Sequence, residues 1–199
     1  MRAATHPALD SETLARARTG DRHAITTVLE LHYEQIHRML VHLVGRSPDL
    51  DDLRQQVLLA IVQGLPAFRA DSSFSTWIGG ICVNVAKTHY RAKRKRSERT
   101  IDDGQPAIDE ARGADSAAQI ESRAELVAVE RALATLSLEQ RTALVLANVY
   151  GHSIDEIAKM MKAAKSTTRL RLYYGRKKLA TALGRRASTR SESESEGVA

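Results

Sequence analysis

Apolar residues recur along this chain with the spacing of amphipathic helices rather than of strands. The pattern predicts a short helix over 9–18 and a longer helix over 22–44. After a turn, Ser47 is the predicted N-cap of a third helix, with Pro48 at its first position. Because few β-branched or aromatic runs alternate with period two, the pattern favours an all-α fold. The buried face of the third helix would carry Leu50, Leu53, Val57 and Ile61.

A fourth predicted helix begins near Phe74 and carries a polar and basic face. It ends in a run of five cations among the six residues 91–96. Gly79 and Gly80 lie inside the helix, where glycine lets another element approach closely. A basic stripe suits nucleic acid, although a charge run is also typical of a solvated face. The apolar stripe is Phe74, Trp77, Ile78, Ile81, Cys82 and Val85, and the polar stripe is Gly80, Asn84, Lys87 and Arg91.

The stretch 97–125 divides the chain into two helical parts. It contains eight acidic residues and three arginines, a net charge of about −5, and it lacks helical periodicity. Its composition is typical of a flexible acidic linker. We therefore predict helical domains over 9–96 and 121–184, a linker over 97–120 and a disordered Ser-Glu-rich tail over 185–199.

The second helical domain has the plan of a helix-turn-helix. Ser137 with Gln140, and Ser153 with Glu156, match capping boxes at two helix starts. A short helix, a tight turn and a basic helix over about 166–183 then follow. The turn position where glycine is usual holds Lys162, and a left-handed non-glycine residue costs on the order of 1 kcal/mol.

The charge asymmetry of this domain favours DNA binding over a merely solvated basic helix. The segment 159–178 carries eight Lys or Arg and no acidic residue. The second helix of such a motif enters the major groove with its N-terminal end first. The residues expected near base edges or phosphates are Lys165, Ser166, Thr168 and Arg169, with Tyr173 one turn further on.

Composition narrows the function class. The net charge of +6 agrees with an anionic partner. The single cysteine, Cys82, suits a reducing compartment, and no segment reads as a membrane span or signal peptide, so we expect a cytoplasmic protein. His32, His37 and His42 are spaced five apart, which does not bring them to one helical face. We expect no metal, no cofactor and no enzymatic activity.

Four stretches, in order and spacing, resemble the extracytoplasmic-function (group IV) sigma factors of bacterial RNA polymerase. The resemblance covers about residues 12–183 and rests on the Gly-Asp turn at 20–24, on 49–57, on 74–91 and on 136–183. It implies that the first domain is sigma region 2 and the second is sigma region 4. The chain departs from many relatives at Gln56 and Thr88, where acidic residues are common.

The resemblance implies roles for named residues and partners. Asp52, Gln55 and Gln56 would bind the β′ clamp helices of core RNA polymerase, whose β flap is a further contact. The second domain would read the −35 element of promoter DNA, and an anti-sigma factor is a further implied partner. Region 2 would read and melt the −10 element through Phe68, Asn84, Lys87, Thr88, Arg91 and Arg94.

Two alternatives belong to other function classes. A helix-turn-helix regulator would bind duplex DNA tightly without polymerase, whereas sigma factors usually bind promoters poorly alone. A metal-dependent enzyme would contain stoichiometric metal. Binding assays with and without core polymerase, and elemental analysis, distinguish these three hypotheses.

Overall fold

The computed structural model describes residues 9–45, 47–97, 129 and 131–196. A 3-10 helix, Leu65–Ala67, follows the third α-helix, and residues 131–134 are also helical. No strand occurs among the described residues, and the all-α prediction is confirmed. The helices are α1 (Ser11–Arg18), α2 (Arg22–Val44), α3 (Leu50–Gly64), α4 (Phe74–Ser97), α5 (Leu138–Asn148), α6 (Ile154–Met161) and α7 (Lys165–Glu196).

Helices α1–α4 form the N-terminal module. Helix α2 packs against α1, α3 and α4, and α3 also contacts α4. The carboxylates of Asp10 and Asp21 cap α1 and α2 by accepting hydrogen bonds from the backbone N–H groups of Thr13 and Ala24. The predicted stripes lie in or against the core, although Trp77, Ile81 and Val85 are only partly buried. Helix α4 also buries Thr76, Val83 and Ala86, which lie outside its predicted stripe. The core includes Val28, Ile36, Leu40, Leu53, Val57, Ile61, Ile78 and Cys82.

The start of α3 differs from the prediction. The helix begins at Leu50, not at Pro48, and its N-cap is Asp49, which makes no side-chain capping hydrogen bond. Ser47 instead closes a turn: its hydroxyl accepts from the Asp49 N–H at 3.2 Å and its carbonyl accepts from the Leu50 N–H at 3.1 Å. The predicted capping role of Ser47 is therefore wrong, because the chain completes this turn before the helix begins.

Helices α5–α7 form the C-terminal module. Both predicted capping boxes are present, at Ser137 with Gln140 and at Ser153 with Glu156. Lys162 follows α6 in the left-handed conformation, with φ 49° and ψ 51°. This conformation reverses the chain within a few residues and places α7 against both α5 and α6. The helix-turn-helix plan is therefore confirmed.

The two modules are in direct contact. Helix α4 packs against α6, and α2 and α4 both reach α5. The buried apolar residues of both modules form one continuous cluster. This packing was not predicted, because helical periodicity shows that a face is buried but not what covers it.

Helix α7 continues to Glu196, whereas composition predicted disorder over 185–199. No proline interrupts the segment after Gly184, and arginine and glutamate are good helix formers, which permits the helix to continue. The predicted linker lies outside the described residues except at Ser97, where α4 ends. Within the described residues, no helix is both long and apolar enough to span a membrane.

Candidate nucleic-acid interface

The exposed face of α4 carries most of the residues predicted to read the −10 element. Asn84, Thr88, Arg91 and Arg94 are all exposed. The hydroxyl of Thr88 donates a hydrogen bond to the Asn84 carbonyl at 3.1 Å, so it is partly engaged by its own helix. The amide of Asn84 and the two arginines are thus presented along one helix, where a hydrogen-bonding group and cations can meet bases and phosphates together.

Lys87 lies on the same stripe but is not exposed in the same way. Its side chain is half-buried, and its ammonium donates a hydrogen bond to the Met161 carbonyl at the end of α6, at 2.8 Å. Burial lowers the pKa of Lys87 from its ordinary value, and the nearby positive charge of Arg171 is a smaller cause. Lys87, which was predicted to contact a DNA phosphate, therefore takes part in the packing between the modules.

Phe68 lies in the core beside the loop that precedes α4. Its ring is 4% exposed and packs against Phe74 and Trp77, with centroid separations of 5.3 and 5.1 Å. The loop itself contains Ala70 at φ +58°, and the Ser73 hydroxyl accepts from the Thr76 N–H at the start of α4. Phe68 thus packs beneath the loop together with the rings of Phe74 and Trp77. Little of its own ring is exposed to a nucleotide in this conformation.

The N-terminal half of α7 presents the residues predicted to read the −35 element. Lys165, Ser166, Arg169 and Tyr173 are exposed, and Tyr173 keeps 61% of its surface. The ammonium of Lys165 pairs with the Asp155 carboxylate at 2.7 Å. These positions recur at helical spacing, so an acid-poor surface with an aromatic ring faces outward from the helix-turn-helix.

Thr168, which was also predicted to lie near the −35 bases or phosphates, is buried. It has no exposed surface, and its hydroxyl donates to the Ala164 carbonyl at 3.1 Å. Its position in α7 directs it into the module, where it packs among the core residues. Thr168 therefore fixes the recognition helix on its module, and its side chain is not available to DNA in this arrangement.

A groove of about 480 Å³ lies beside the same helix. Its apolar lining residues include Ile154 and Leu172, and its other lining residues are mostly cationic. Arg169 and Tyr173 are among these lining residues, so the groove adjoins the candidate −35 surface of α7. The lining residues are Ile154, Arg169, Leu172, Tyr173, Arg176 and Lys177.

The predicted polymerase-binding residues share one face of α3. Asp52, Gln55 and Gln56 are exposed, whereas Leu53 and Val57 are buried against the module. Leu59, about one turn further along, keeps 58% of its surface although it is apolar. An exposed leucine beside carboxylate and amide groups is the mixture of apolar and polar groups found at protein–protein contacts.

Two of the histidines in α2 contact groups of the protein itself. His32 is buried, and its Nδ1 lies 2.9 Å from the Val28 carbonyl in its own helix. His42 lies 3.2 Å from the Tyr150 hydroxyl, across the contact between the modules. No cluster of three potential metal ligands occurs in the part of the chain that the structure describes.

Sequence reasoning missed the residues that join the two modules. Arg141 is buried, and its guanidinium donates to the Leu43 carbonyl and the Tyr90 hydroxyl, both at 3.2 Å. The Thr76 hydroxyl donates to the Glu156 carboxylate at 3.1 Å. The glycine pair in α4 was the one indication of a close approach in the sequence, and the element that approaches is α6.

Comparison with known proteins agrees with this architecture. Residues 28–96 match the family model for Sigma-70 region 2, and residues 126–179 match that for Sigma-70 region 4. The chain is 35% identical over 180 residues to the ECF RNA polymerase sigma factor SigM of Mycobacterium tuberculosis, covering 90% of this chain and 87% of that protein. It is 28% identical over 174 residues to the ECF RNA polymerase sigma-E factor of Escherichia coli K12, covering 84% and 90%.

Solved structures share the fold. The sigma factor RpoE of Bartonella quintana, crystallised with the anti-sigma factor NepR, has a TM-score of 0.60 at 23% identity and covers 80% of this chain and 96% of that one. CnrH in complex with the cytosolic domain of CnrY has a TM-score of 0.62 at 21% identity and covers 87% and 96%. Two helical modules, matched in order to both sigma regions, and the identity to SigM establish that this chain belongs to the ECF RNA polymerase sigma factors, which direct promoter-specific initiation of transcription.

Proposed function

We propose that this sigma factor binds core RNA polymerase through the exposed face of α3 and reads promoter DNA through two separate surfaces. The polymerase contact would be made by Asp52, Gln55 and Gln56, with Leu59 as its apolar centre. The β′ clamp helices are the partner that the family resemblance implies for this face. The observation that supports the contact most directly is the exposure of Leu59 beside three polar side chains.

The −10 surface would be the outer stripe of α4. Asn84 has both a donor and an acceptor, so it can hydrogen-bond to the edge of an unstacked base. Arg91 and Arg94 would hold the phosphates, and Lys87 would join them when it is released from Met161. Phe68 would support the loop that closes over the base. The exposure of Asn84 beside a run of cations carries this assignment.

The −35 surface would be the outer face of α7. Arg169 suits bidentate contact with guanine, and Lys165 and Ser166 lie at the end of the helix that enters the major groove first. Tyr173 would pack beside the bases. The exposure of these four residues on one helix, with Thr168 turned inward, supports the assignment.

The acidic linker would let the two surfaces reach separate promoter elements. About 25 residues span roughly 80 Å when extended. Elements roughly 20 base pairs apart are about 70 Å apart at ~3.4 Å per pair. The sequence therefore provides enough chain to join the two modules at both elements.

An anti-sigma factor is a further proposed partner. RpoE of Bartonella quintana, which shares this fold, was crystallised with the anti-sigma factor NepR. Binding would cover one or more of the surfaces on α3, α4 and α7. Isolation of a partner whose release restores transcription would support this proposal, and unrestrained activity of the chain in its native cell would contradict it.

Transcription with purified core polymerase tests the proposed function. The wild-type chain plus core is expected to start transcripts at specific promoters, whereas free chain should bind the same DNA weakly. Replacement of Gln55 and Gln56 by alanine should reduce core binding. Glu30→Ala is a control, because this exposed side chain lies on α2, outside the proposed surface of α3. Failure to bind core would refute the proposal, and tight specific DNA binding without core would favour the regulator alternative.

A further inference from the structure

Three large side chains with apolar surface are exposed within five residues of α7. Leu170 keeps 55% of its surface and Tyr174 keeps 53%, and Tyr173 lies between them in the sequence. These positions are three and four residues apart, so the side chains are neighbours on the helix surface. A contiguous group of exposed apolar side chains marks an interaction surface, whereas single ones are ordinary. Among the other residues that the structure describes, exposed side chains of this kind are widely separated along the chain: Tyr33, Leu59, Val129 and Val149.

Leu170 lies at the centre of the exposed side of α7. The opposite side of the helix faces the module, because Thr168 and Leu172 are both buried. Leu170 is two residues from each of them, and two residues correspond to about 200° of rotation around an α-helix. Its side chain therefore points almost directly away from the module. Arg169 is one residue from Thr168, about 100° around the helix, and so lies on the flank.

The surroundings of Leu170 are cationic. The exposed side chain of Lys177 lies two turns further along the same face, with Arg169 on one flank and Lys178 on the other. No acidic residue occurs in the segment 159–178. A protein that covered Leu170 would need acidic groups of its own to match these cations, whereas DNA supplies phosphates along both edges of the major groove. An apolar centre between cations therefore favours duplex DNA as the occupant of this face.

The structure holds Leu170 and its aromatic neighbours in position. A Cβ on Gly175 would lie 3.1 Å from the Leu144 Cδ1 of α5, so α7 packs closely on its module at this point. The rings of Tyr173 and Tyr174 are in edge contact, with centroids 5.2 Å apart and planes at 76°. Aromatic pairs of this geometry attract each other, which limits the movement of both rings. A small apolar group that reached Leu170 would thus be shielded from water by these rings.

The base-pair edges limit what an aliphatic side chain can contact. In the major groove they present hydrogen-bond donors and acceptors together with one apolar group, the C5-methyl group of thymine. An aliphatic side chain that covers a donor or acceptor leaves it without a partner, and this costs free energy. Contact with the methyl group instead removes apolar surface of both partners from water. A leucine at the centre of a recognition helix therefore favours thymine over the other three bases.

We propose that Leu170 is a specificity-determining residue of this sigma factor, which packs against the C5-methyl group of a thymine in the −35 element. Tyr173 and Tyr174 cover the contact, and Lys165 and Arg169 keep the polar roles proposed above. The promoters of this sigma factor then have an A·T pair at the position that faces Leu170. This inference rests on the proposed function, because it requires that α7 enters the major groove of the −35 element.

Replacement of thymine by deoxyuridine tests the contact, because deoxyuridine pairs with adenine in the same way but lacks the C5-methyl group. Holoenzyme, formed from core polymerase and the full chain, is titrated against promoter duplexes. Each thymine of the −35 element, on either strand, is replaced in turn. For the wild-type chain, one replacement should weaken binding about threefold to fivefold, as expected when one methyl group leaves an apolar contact. The same replacement should have no further effect on holoenzyme that contains Leu170→Ala.

Competition between two promoters gives a readout that does not depend on the absolute affinity of a variant. Equal amounts of the thymine and deoxyuridine promoters are transcribed together, and the ratio of the two transcripts is measured. The wild-type chain should favour the thymine promoter about threefold to fivefold, and Leu170→Ala should use both equally. Val149→Ala is the matched control, because it shortens an exposed aliphatic side chain elsewhere in the same module, and it should keep the wild-type ratio.

Several outcomes would overturn the inference. One is an equal response to deoxyuridine in wild type and Leu170→Ala, and another is a −35 element that has no thymine or in which no replacement affects the wild-type holoenzyme. Loss of core binding in Leu170→Ala, with the response to deoxyuridine unchanged, would assign this face to a protein partner instead. Failure of the wild-type holoenzyme to bind any promoter would refute the proposed function, which keeps the two failures distinct.

Discussion

The capping box at the start of α6 leads to a quantitative prediction for Ser153→Ala. The Ser153 hydroxyl accepts a hydrogen bond from the Glu156 N–H at 3.3 Å and donates one to the Glu156 carboxylate at 2.8 Å. The carboxylate in turn accepts from the Ser153 N–H at 2.9 Å, and this bond survives the substitution. The mutation therefore removes the side-chain half of the box and leaves the other half in place.

The expected loss of stability follows from the hydrogen bonds that the Ser153 hydroxyl makes. Replacing an N-cap serine by alanine typically destabilises a protein by about 1 kcal/mol, within a range of roughly 0.5–2 kcal/mol. Helix α6 has eight residues, so it has few other bonds to share the loss. Both hydroxyl bonds are exposed, which favours the middle of that range over the top. We expect the free energy of unfolding at pH 7 to fall by about 1 kcal/mol.

The same contacts predict the pH dependence. Hydrogen bonds from the backbone and the hydroxyl of Ser153 lower the pKa of Glu156 below its ordinary value of 4.5. Because the folded-state pKa is lower than the unfolded one, the stabilisation is complete above pH 4.5 and is lost as the pH falls through the lower folded-state pKa. The stability difference between wild type and Ser153→Ala should therefore shrink in that acidic range.

Urea unfolding followed by circular dichroism at 222 nm measures the effect. Ser153→Asn is the matched control, because asparagine caps as well as serine does, and it should retain most of the stability. An equal loss in the asparagine and alanine variants would refute the capping argument. A difference that grew on acidification would refute the assigned direction of the Glu156 pKa.

Three further predictions concern individual residues of the two modules. Asn84→Ala should impair promoter opening by the holoenzyme while core binding is kept; equal loss of both would contradict the assigned role. Arg169→Ala should weaken binding to a −35 duplex by about 1–3 kcal/mol, and unchanged binding in a titration would exclude a direct base contact. Lys162→Gly should raise the free energy of unfolding by about 1 kcal/mol, because glycine adopts the left-handed conformation at this turn without strain. A lower free energy of unfolding in chemical denaturation would contradict the assigned strain at Lys162.

Local structure was largely predictable from local sequence. The bounds of α2, the two capping boxes and the left-handed turn at Lys162 each depend on residues within a few positions of one another. Such features are set by periodicity and by hydrogen bonds within one turn. The start of α3 was mispredicted because Ser47 could form either of two local structures, a helix cap or a turn. The structure shows the turn.

The candidate site was only partly predictable. Helical spacing predicted one polar stripe on α4, of which Asn84 and Arg91 are exposed whereas Gly80 and Lys87 are partly buried. It did not show that Thr168 is fully buried, on the same side of α7 as Leu172, whereas its neighbours Thr167 and Arg169 are exposed. Phe68 was likewise predicted near a nucleotide, but its ring packs beneath Phe74 and Trp77. Contacts between distant segments decide these positions.

The sequence by itself determined most of the helices, the two capping boxes, the basic surfaces and, through its resemblance, the sigma-factor family. Each of these depends on the identity and spacing of residues that are near one another in the chain. Only the tertiary structure decided that α6 lies against the glycine pair of α4 and that Lys87 is bound to Met161. That contact joins residues 74 positions apart. Helical periodicity records that a face is covered, but the shape and polar groups of both helices determine which element covers it.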